Sequence, residues 1–132
     1  MLDVLFWQTT GYHDSIVTSL SVGRALRPMG LEVGILFDQA ALLALVGDDV
    51  KTSPGLEDHR TTIDNNLRKF GLPTAVEGYI EEARAAGVHL YVCSGWCEFL
   101  GIKAKWPPYL EEKGRQDSVK LIAEAKKVIV SP

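Results

Sequence analysis

The sequence lacks the features that mark several specialised protein classes. Its longest uninterrupted apolar run, Ala40 to Val46, is far too short to span a bilayer. The net charge of −3 leaves no basic excess of the kind that nucleic-acid-binding domains carry. The first residues, MLDVLFW, have neither a basic flank nor a small-residue cleavage pattern, so we expect no signal peptide. These absences predict a cytoplasmic protein that binds no nucleic acid and no membrane.

Cysteine and histidine are also scarce, with two and three residues, respectively, in a chain of 132. Two cysteines without a secretory signal are more typical of reduced thiols than of a structural disulfide. The histidines are scattered along the chain, whereas a metal site needs several ligands close together. Neither a P-loop nor the glycine pattern of a dinucleotide-binding strand and helix is present. We therefore expect no metal and no cofactor.

The composition and the hydrophobic pattern are those of one α/β domain. A hydrophobic fraction of 46% and a charged fraction of 23% are typical of soluble globular proteins, and 132 residues suit a single domain over 1–132. Short apolar runs alternate with segments of helical periodicity, joined by short connections. This alternation predicts a parallel sheet of four to five strands with helices on both faces.

The apolar runs and turn signals also place the individual elements. Clear strands are expected at Leu2 to Trp7, Glu32 to Phe37, the segment from Val88 to Cys93, and Lys127 to Val130. Asp14 or Ser15 is expected to cap the first helix, and Thr74 with Glu77 to form a capping box before a later one. Two stretches read as irregular, the connector Gly47 to His59 and the excursion Lys103 to Arg115.

The strongest chemical signal lies in Val88 to Ile102, which reads VHLYVCSGWCEFLGI. A buried strand is expected to bring Cys93 to its carboxyl end, where parallel sheets bind ligands, and to the start of the next helix. The positive end of that helix dipole favours a thiolate. Cys97 follows four residues later, about one helical turn away. Cys93 is therefore the candidate reactive thiol, and Cys97 is a candidate resolving or relay thiol.

Each of these candidates has a structural alternative. Cys93 could end a core strand as an inert buried thiol, and Cys97 could simply pack against the sheet. Trp7 and Trp96 could wall a pocket around the cysteine, or they could contribute to the core or to a subunit interface. The spacing of these residues does not decide between the two interpretations.

Several segments together resemble the DsrE/DsrF-like family, which includes the TusD and YchN types. They are the strand–cysteine–helix segment GVHLYVCSGWCEFLGI, the first strand ending in Thr9-Thr10-Gly11, the strand EVGILF and the final LIAEAKKVIVSP. The resemblance covers nearly the whole chain, and Val88 to Ile102 is its most specific part. It implies a flavodoxin-related three-layer fold and a homotrimer or homohexamer. It also implies that the cysteine matching Cys93 carries sulfane sulfur as a persulfide and exchanges it with small TusA-like carrier proteins or other sulfurtransferases.

Two features depart from the common family pattern. Cys97 is a second cysteine, as in some DsrE-like branches, and Lys103 to Arg115 does not match the family's short connection. The leading hypothesis is a cytoplasmic sulfur carrier or sulfurtransferase in which Cys93 takes the sulfur and Cys97 supports it. Two alternatives stay open: a non-catalytic oligomeric binding or scaffold subunit of the same fold, and a thiol redox sensor that forms a reversible Cys93–Cys97 disulfide.

Overall fold

The predicted parallel sheet has five strands in the part of the chain that the computed structural model describes, residues 1–47 and 50–131. The strands are β1 (Val4–Gln8), β2 (Val33–Phe37), β3 (His89–Cys93), β4 (Leu110–Lys113) and β5 (Lys127–Val130). Their order is β4-β3-β2-β1-β5, and each neighbouring pair is parallel. This confirms the single-domain α/β fold and the larger of the two predicted strand counts.

The helices lie on both faces of the sheet, as predicted. Along the chain they are α1 (His13–Leu26), α2 (Ala40–Val46), α3 (Arg60–Lys69), α4 (Val76–Ala85), α5 (Ser94–Phe99) and α6 (Arg115–Glu124). Among the described residues, no helix is both long and apolar enough to cross a membrane.

The strand order explains how the helices divide between the two faces. From β1 to β4 each connection steps in the same direction, so right-handed crossovers place the intervening helices on one face. The connection from β4 to β5 runs back across the sheet, which places α6 on the opposite face. The result is a three-layer arrangement. Its strand order differs from the 2-1-3-4-5 order of flavodoxin, so the relation to flavodoxin concerns the layers and not the order.

Two apolar clusters fill the space between these layers. The larger, which we call the α1-side cluster, joins one face of the sheet to α1, α2 and α4, and Phe37 is fully buried in it. The smaller, the α6-side cluster, contains Leu5, Leu36, Tyr91 and Cys93, and α6 packs against it. Residues that alternate along one strand therefore enter different clusters, as the pleat of a strand requires.

The expectation of an irregular segment from Lys103 to Arg115 is wrong for its second half. Residues Leu110–Lys113 form β4, and α6 begins at Arg115. Only Leu110 is buried in this strand, because β4 lies at the edge of the sheet and exposes Glu111 and Glu112. Edge strands commonly carry charged side chains, so this one lacks the apolar run by which the other strands are predicted.

The predicted helix caps are also wrong, because their side chains bind elsewhere. The N-cap residue of α1 is Tyr12 and that of α4 is Ala75, and neither helix has a side-chain capping bond. The Asp14 carboxylate accepts hydrogen bonds from Ser53, at 2.8 Å from its amide and 2.6 Å from its hydroxyl. Ser15 accepts a hydrogen bond from the buried Gln8 at 2.9 Å. Tertiary partners have therefore displaced the local bonds that the sequence pattern favours.

Candidate functional site

Cys93 lies where the sequence predicts, at the end of a buried strand and the start of a helix. It is the last residue of β3 and the N-cap residue of α5. The strand is inside the sheet, with β2 on one side and β4 on the other, and Cys93 pairs in register with Lys113. Its side chain belongs to the α6-side cluster and is almost enclosed, since only 4% of the residue surface is exposed.

Cys97 is buried on the other side of the sheet. It is 7% exposed and belongs to the α1-side cluster, because α5 is part of a crossover that runs over that face. Burial raises the pKa of the Cys97 thiol, and the nearby Glu112 and Cys93 raise it further. Hydrogen bonding by the Trp106 side chain opposes this increase in pKa without cancelling it. Cys97 is therefore held as a neutral thiol at pH 7.

The two cysteines are near each other but have separate surroundings. Both are free thiols, and Cys93 lies close enough to Cys97 to affect its ionisation. They nevertheless pack into clusters on opposite faces of the sheet. Among the described residues, no three side chains of the His, Cys, Asp and Glu types come together as a metal site would require.

Asp38 is a residue of this region that the sequence analysis missed. It directly follows β2 and is 5% exposed. Its carboxylate accepts hydrogen bonds from the Trp7 indole N–H at 3.0 Å and from the Gln39 backbone N–H at 2.9 Å. Gln39 itself has a positive φ of 50°, a conformation that costs a non-glycine residue energy and is often found at functional sites. The sequence did contain a signal for this residue, because Asp38 directly follows the apolar run EVGILF and so lies at the carboxyl end of a predicted strand.

Two aromatic residues of α5, Trp96 and Phe99, lie near the start of α6. Trp96 packs against the α6-side cluster and meets Phe99 edge-on, with 5.5 Å between ring centroids. The Arg115 guanidinium lies 5.7 Å from the centre of the Phe99 ring. A methyl group at Gly95 would come within 2.3 Å of the Arg115 side chain, so glycine allows α6 to begin this close to α5.

Hydrogen bonds attach the connector Gly47 to His59 to α1 and α3. Asp48 and Asp49 of this connector lie outside the described residues. The backbone N–H of His13 donates to the Lys51 carbonyl at 2.8 Å, and the Arg60 guanidinium donates to the Val50 carbonyl at 2.8 Å. The two bonds between Asp14 and Ser53 add a third attachment. These contacts hold residues 50–53 against the N-terminal end of α1.

The Asp14–Ser53 bonds predict a pH-dependent contribution to stability. Burial opposes ionisation of Asp14, but the hydrogen bonds from Ser53 outweigh it and lower the pKa of Asp14 below its ordinary value of 3.8. A carboxyl whose pKa is lower in the folded state stabilises the fold above its unfolded pKa, and this contribution is lost as the pH falls through the folded pKa. We therefore expect Asp14→Asn to be less stable than the wild type at pH 7, and the difference to shrink below about pH 3.8.

Urea denaturation at a series of pH values measures this effect. Asp58→Asn, which changes an exposed carboxylate in the same connector, is the matched control. A difference in unfolding free energy between Asp14→Asn and the wild type that stays constant from pH 7 to pH 3 would contradict the assignment.

The fold and the thiol together define a class: a five-stranded parallel α/β domain with a buried cysteine at the carboxyl end of an inner strand. No family model matches the sequence, and no curated protein matches it. The crystal structure of the YchN protein from E. coli is similar, with a TM-score of 0.65 over 98% of this chain and 99% of that chain, at 17% identity. The chain therefore has the fold of YchN, which confirms the sequence-based resemblance at the level of fold.

Proposed function

We propose that the protein is a cytoplasmic sulfur carrier or sulfurtransferase that holds sulfane sulfur as a persulfide on Cys93. The observation that carries this proposal is the position of Cys93, at the carboxyl end of β3 and the N-cap of α5 in a YchN-like fold. Unpaired N–H groups and the positive dipole end of a helix favour an anionic sulfur at such a position. The persulfide that Cys93 would hold is an anion of this kind.

The proposed reaction is thiol exchange. The Cys93 sulfur gives up its proton and attacks the outer sulfur of a donor persulfide, the donor S–S bond breaks, and the donor leaves as a thiolate. Attack by an acceptor thiolate on the outer sulfur of the Cys93 persulfide then passes the sulfur on and restores Cys93. There is no net oxidation in either step. The partners are small TusA-like carrier proteins or other sulfurtransferases.

Cys97 has a supporting role in this proposal. Its raised pKa keeps its thiol protonated at pH 7, and a protonated thiol is a poor nucleophile. It also lies in the α1-side cluster, away from the apolar surroundings of Cys93. These features leave the first attack to Cys93, and the proposal gives Cys97 only the secondary role of helping to release or hold the sulfur afterwards.

A partner must displace the side chains that enclose Cys93 before exchange, because only 4% of this residue is exposed. Trp96, which packs against the same cluster as Cys93, meets the exposed Phe99, and this pair offers a partner an apolar contact. Val119 on α6 and Val130 on β5 are also exposed. Such apolar side chains suit the subunit contacts of a homotrimer or homohexamer, which we include in the proposal.

A non-catalytic oligomeric scaffold subunit is the second candidate function. The burial of both thiols favours it, since buried free cysteines are often inert core residues. Slow alkylation of both cysteines in the native protein, together with failure to take up sulfur, would support this alternative.

The intact mass of the protein after incubation with polysulfide tests the leading proposal. We expect a gain equal to one sulfur atom that disappears on adding a reductant. A loss of two hydrogens under mild oxidant, without any gain of sulfur, would instead indicate the Cys93–Cys97 redox sensor. An unchanged mass under both conditions would leave the scaffold subunit.

A further inference from the structure

Asp38 is the only carboxylate among the buried side chains of the described residues. None of the ion pairs found among these residues includes it. Its two hydrogen bonds, from Trp7 and from the backbone of Gln39, replace part of the lost hydration. A buried carboxylate without a cation is costly, which makes Asp38 a candidate for a chemical role.

The strand register places Asp38 next to Cys93. The last paired residues of β2 and β3 are Phe37 and Val92, so Asp38 and Cys93 are the next two along these neighbouring strands. In-register residues of parallel strands point to the same face of a sheet. The pair two residues earlier, Leu36 and Tyr91, lies in the α6-side cluster together with Cys93. Asp38 and Cys93 are therefore same-face neighbours at the carboxyl edge.

The other charged groups nearby do not take over the role of Asp38. Lys113, on the far side of Cys93, places its ammonium 3.4 Å from Glu111. Cys97 faces the α1-side cluster. The titratable and charged groups on the elements packed around the pair are Cys97 and Glu98 on α5, Glu111, Glu112 and Lys113 on β4, and Arg115, Asp117, Lys120 and Glu124 on α6.

We propose that Asp38 is the proton acceptor for the Cys93 thiol, an inference that rests on the proposed persulfide exchange. An enclosed thiol has little water to take its proton, and the adjacent carboxylate supplies the missing base. The Cys93 S–H bond gives its proton to Asp38 while the sulfur attacks the outer sulfur of a donor persulfide. The donor S–S bond breaks, and the departing donor thiolate takes the proton from Asp38. The sum is Cys93–SH + R–S–SH → Cys93–S–SH + R–SH.

Alkylation of Cys93 by iodoacetamide tests this inference without any sulfur donor. The measurements use a Cys97→Ser background, so that only Cys93 reacts, and follow the rate by intact mass between pH 6 and pH 9. At pH 7 we expect Asp38→Asn to slow alkylation about a hundredfold, with the deficit shrinking as the pH rises, and Asp38→Glu to restore part of the rate. Asp58→Asn, an exposed carboxylate change outside this site, should react like the background protein.

An alkylation rate for Asp38→Asn equal to or above that of the background protein at pH 7 would overturn the inference. The solvent isotope effect of the background protein provides a second test if Asp38→Asn does not fold. Proton transfer to Asp38 during attack predicts slower alkylation in D2O, whereas an equal or faster rate would indicate a thiolate formed beforehand and overturn the assignment. Failure of polysulfide loading with a normal Asp38 effect on alkylation would reject the sulfur-carrier function alone.

Discussion

Replacing Cys93 with serine is expected to abolish persulfide loading, whereas replacing Cys97 with serine should only reduce it. A serine hydroxyl cannot form a persulfide, so Cys93→Ser removes the sulfur that accepts the cargo. The thiol of Cys97 has a raised pKa and lies in the α1-side cluster, so it does not substitute for Cys93 as the nucleophile. The fraction of protein with a reducible extra sulfur, measured for the wild type and both variants, checks this expectation.

The Cys93 comparison needs a control for folding, because serine places a hydroxyl in an apolar cluster. Cys93→Ala removes the thiol without adding a polar atom, and it should fold like the wild type while also failing to load sulfur. Loading by Cys93→Ser at the level of the wild type would overturn the assignment of the carrier sulfur.

Phe37→Ala is expected to lower the free energy of unfolding by about 3–5 kcal/mol. The Phe37 side chain is fully buried at the end of β2, between β1 and β3, and packs in the α1-side cluster. Truncation would leave a cavity where the sheet meets its helices, and the strands on either side prevent the space from closing. A loss of this size is a large part of the stability of a small domain.

Urea denaturation measures the Phe37→Ala effect as a lower midpoint with an unchanged slope. Phe70→Ala is the matched control, because Phe70 is 73% exposed and its truncation should change stability by less than about 0.5 kcal/mol. A similar small change in both variants would contradict the placement of Phe37 in the core.

The elements that follow from local pattern were predictable from the sequence. The apolar runs mark β1, β2, β3 and β5, and the predicted bounds of β5 agree with those observed, Lys127–Val130. The placement of Cys93 follows from the same reasoning, since an apolar run that ends at Cys93 before Ser94 and Gly95 predicts a strand followed by a helix.

The parts that depend on tertiary context were not predictable. β4 is a polar edge strand, and the strand order is set by how the crossovers pack, which no local pattern records. Asp14 and Ser15 have the residue types of helix caps but bind partners distant in sequence. The sequence places Asp38 directly after an apolar run, but its position next to Cys93 follows only from the register of β2 and β3.

Fragment mass spectrometry of the loaded protein shows whether Cys93 carries the sulfur. After polysulfide treatment, trapping with an alkylating reagent and proteolysis under non-reducing conditions, fragmentation between Cys93 and Cys97 locates the additional sulfur. We expect an alkylated persulfide on Cys93 and an unmodified or singly alkylated Cys97. Additional sulfur found only on Cys97, with Cys93 bearing none, would contradict this expectation.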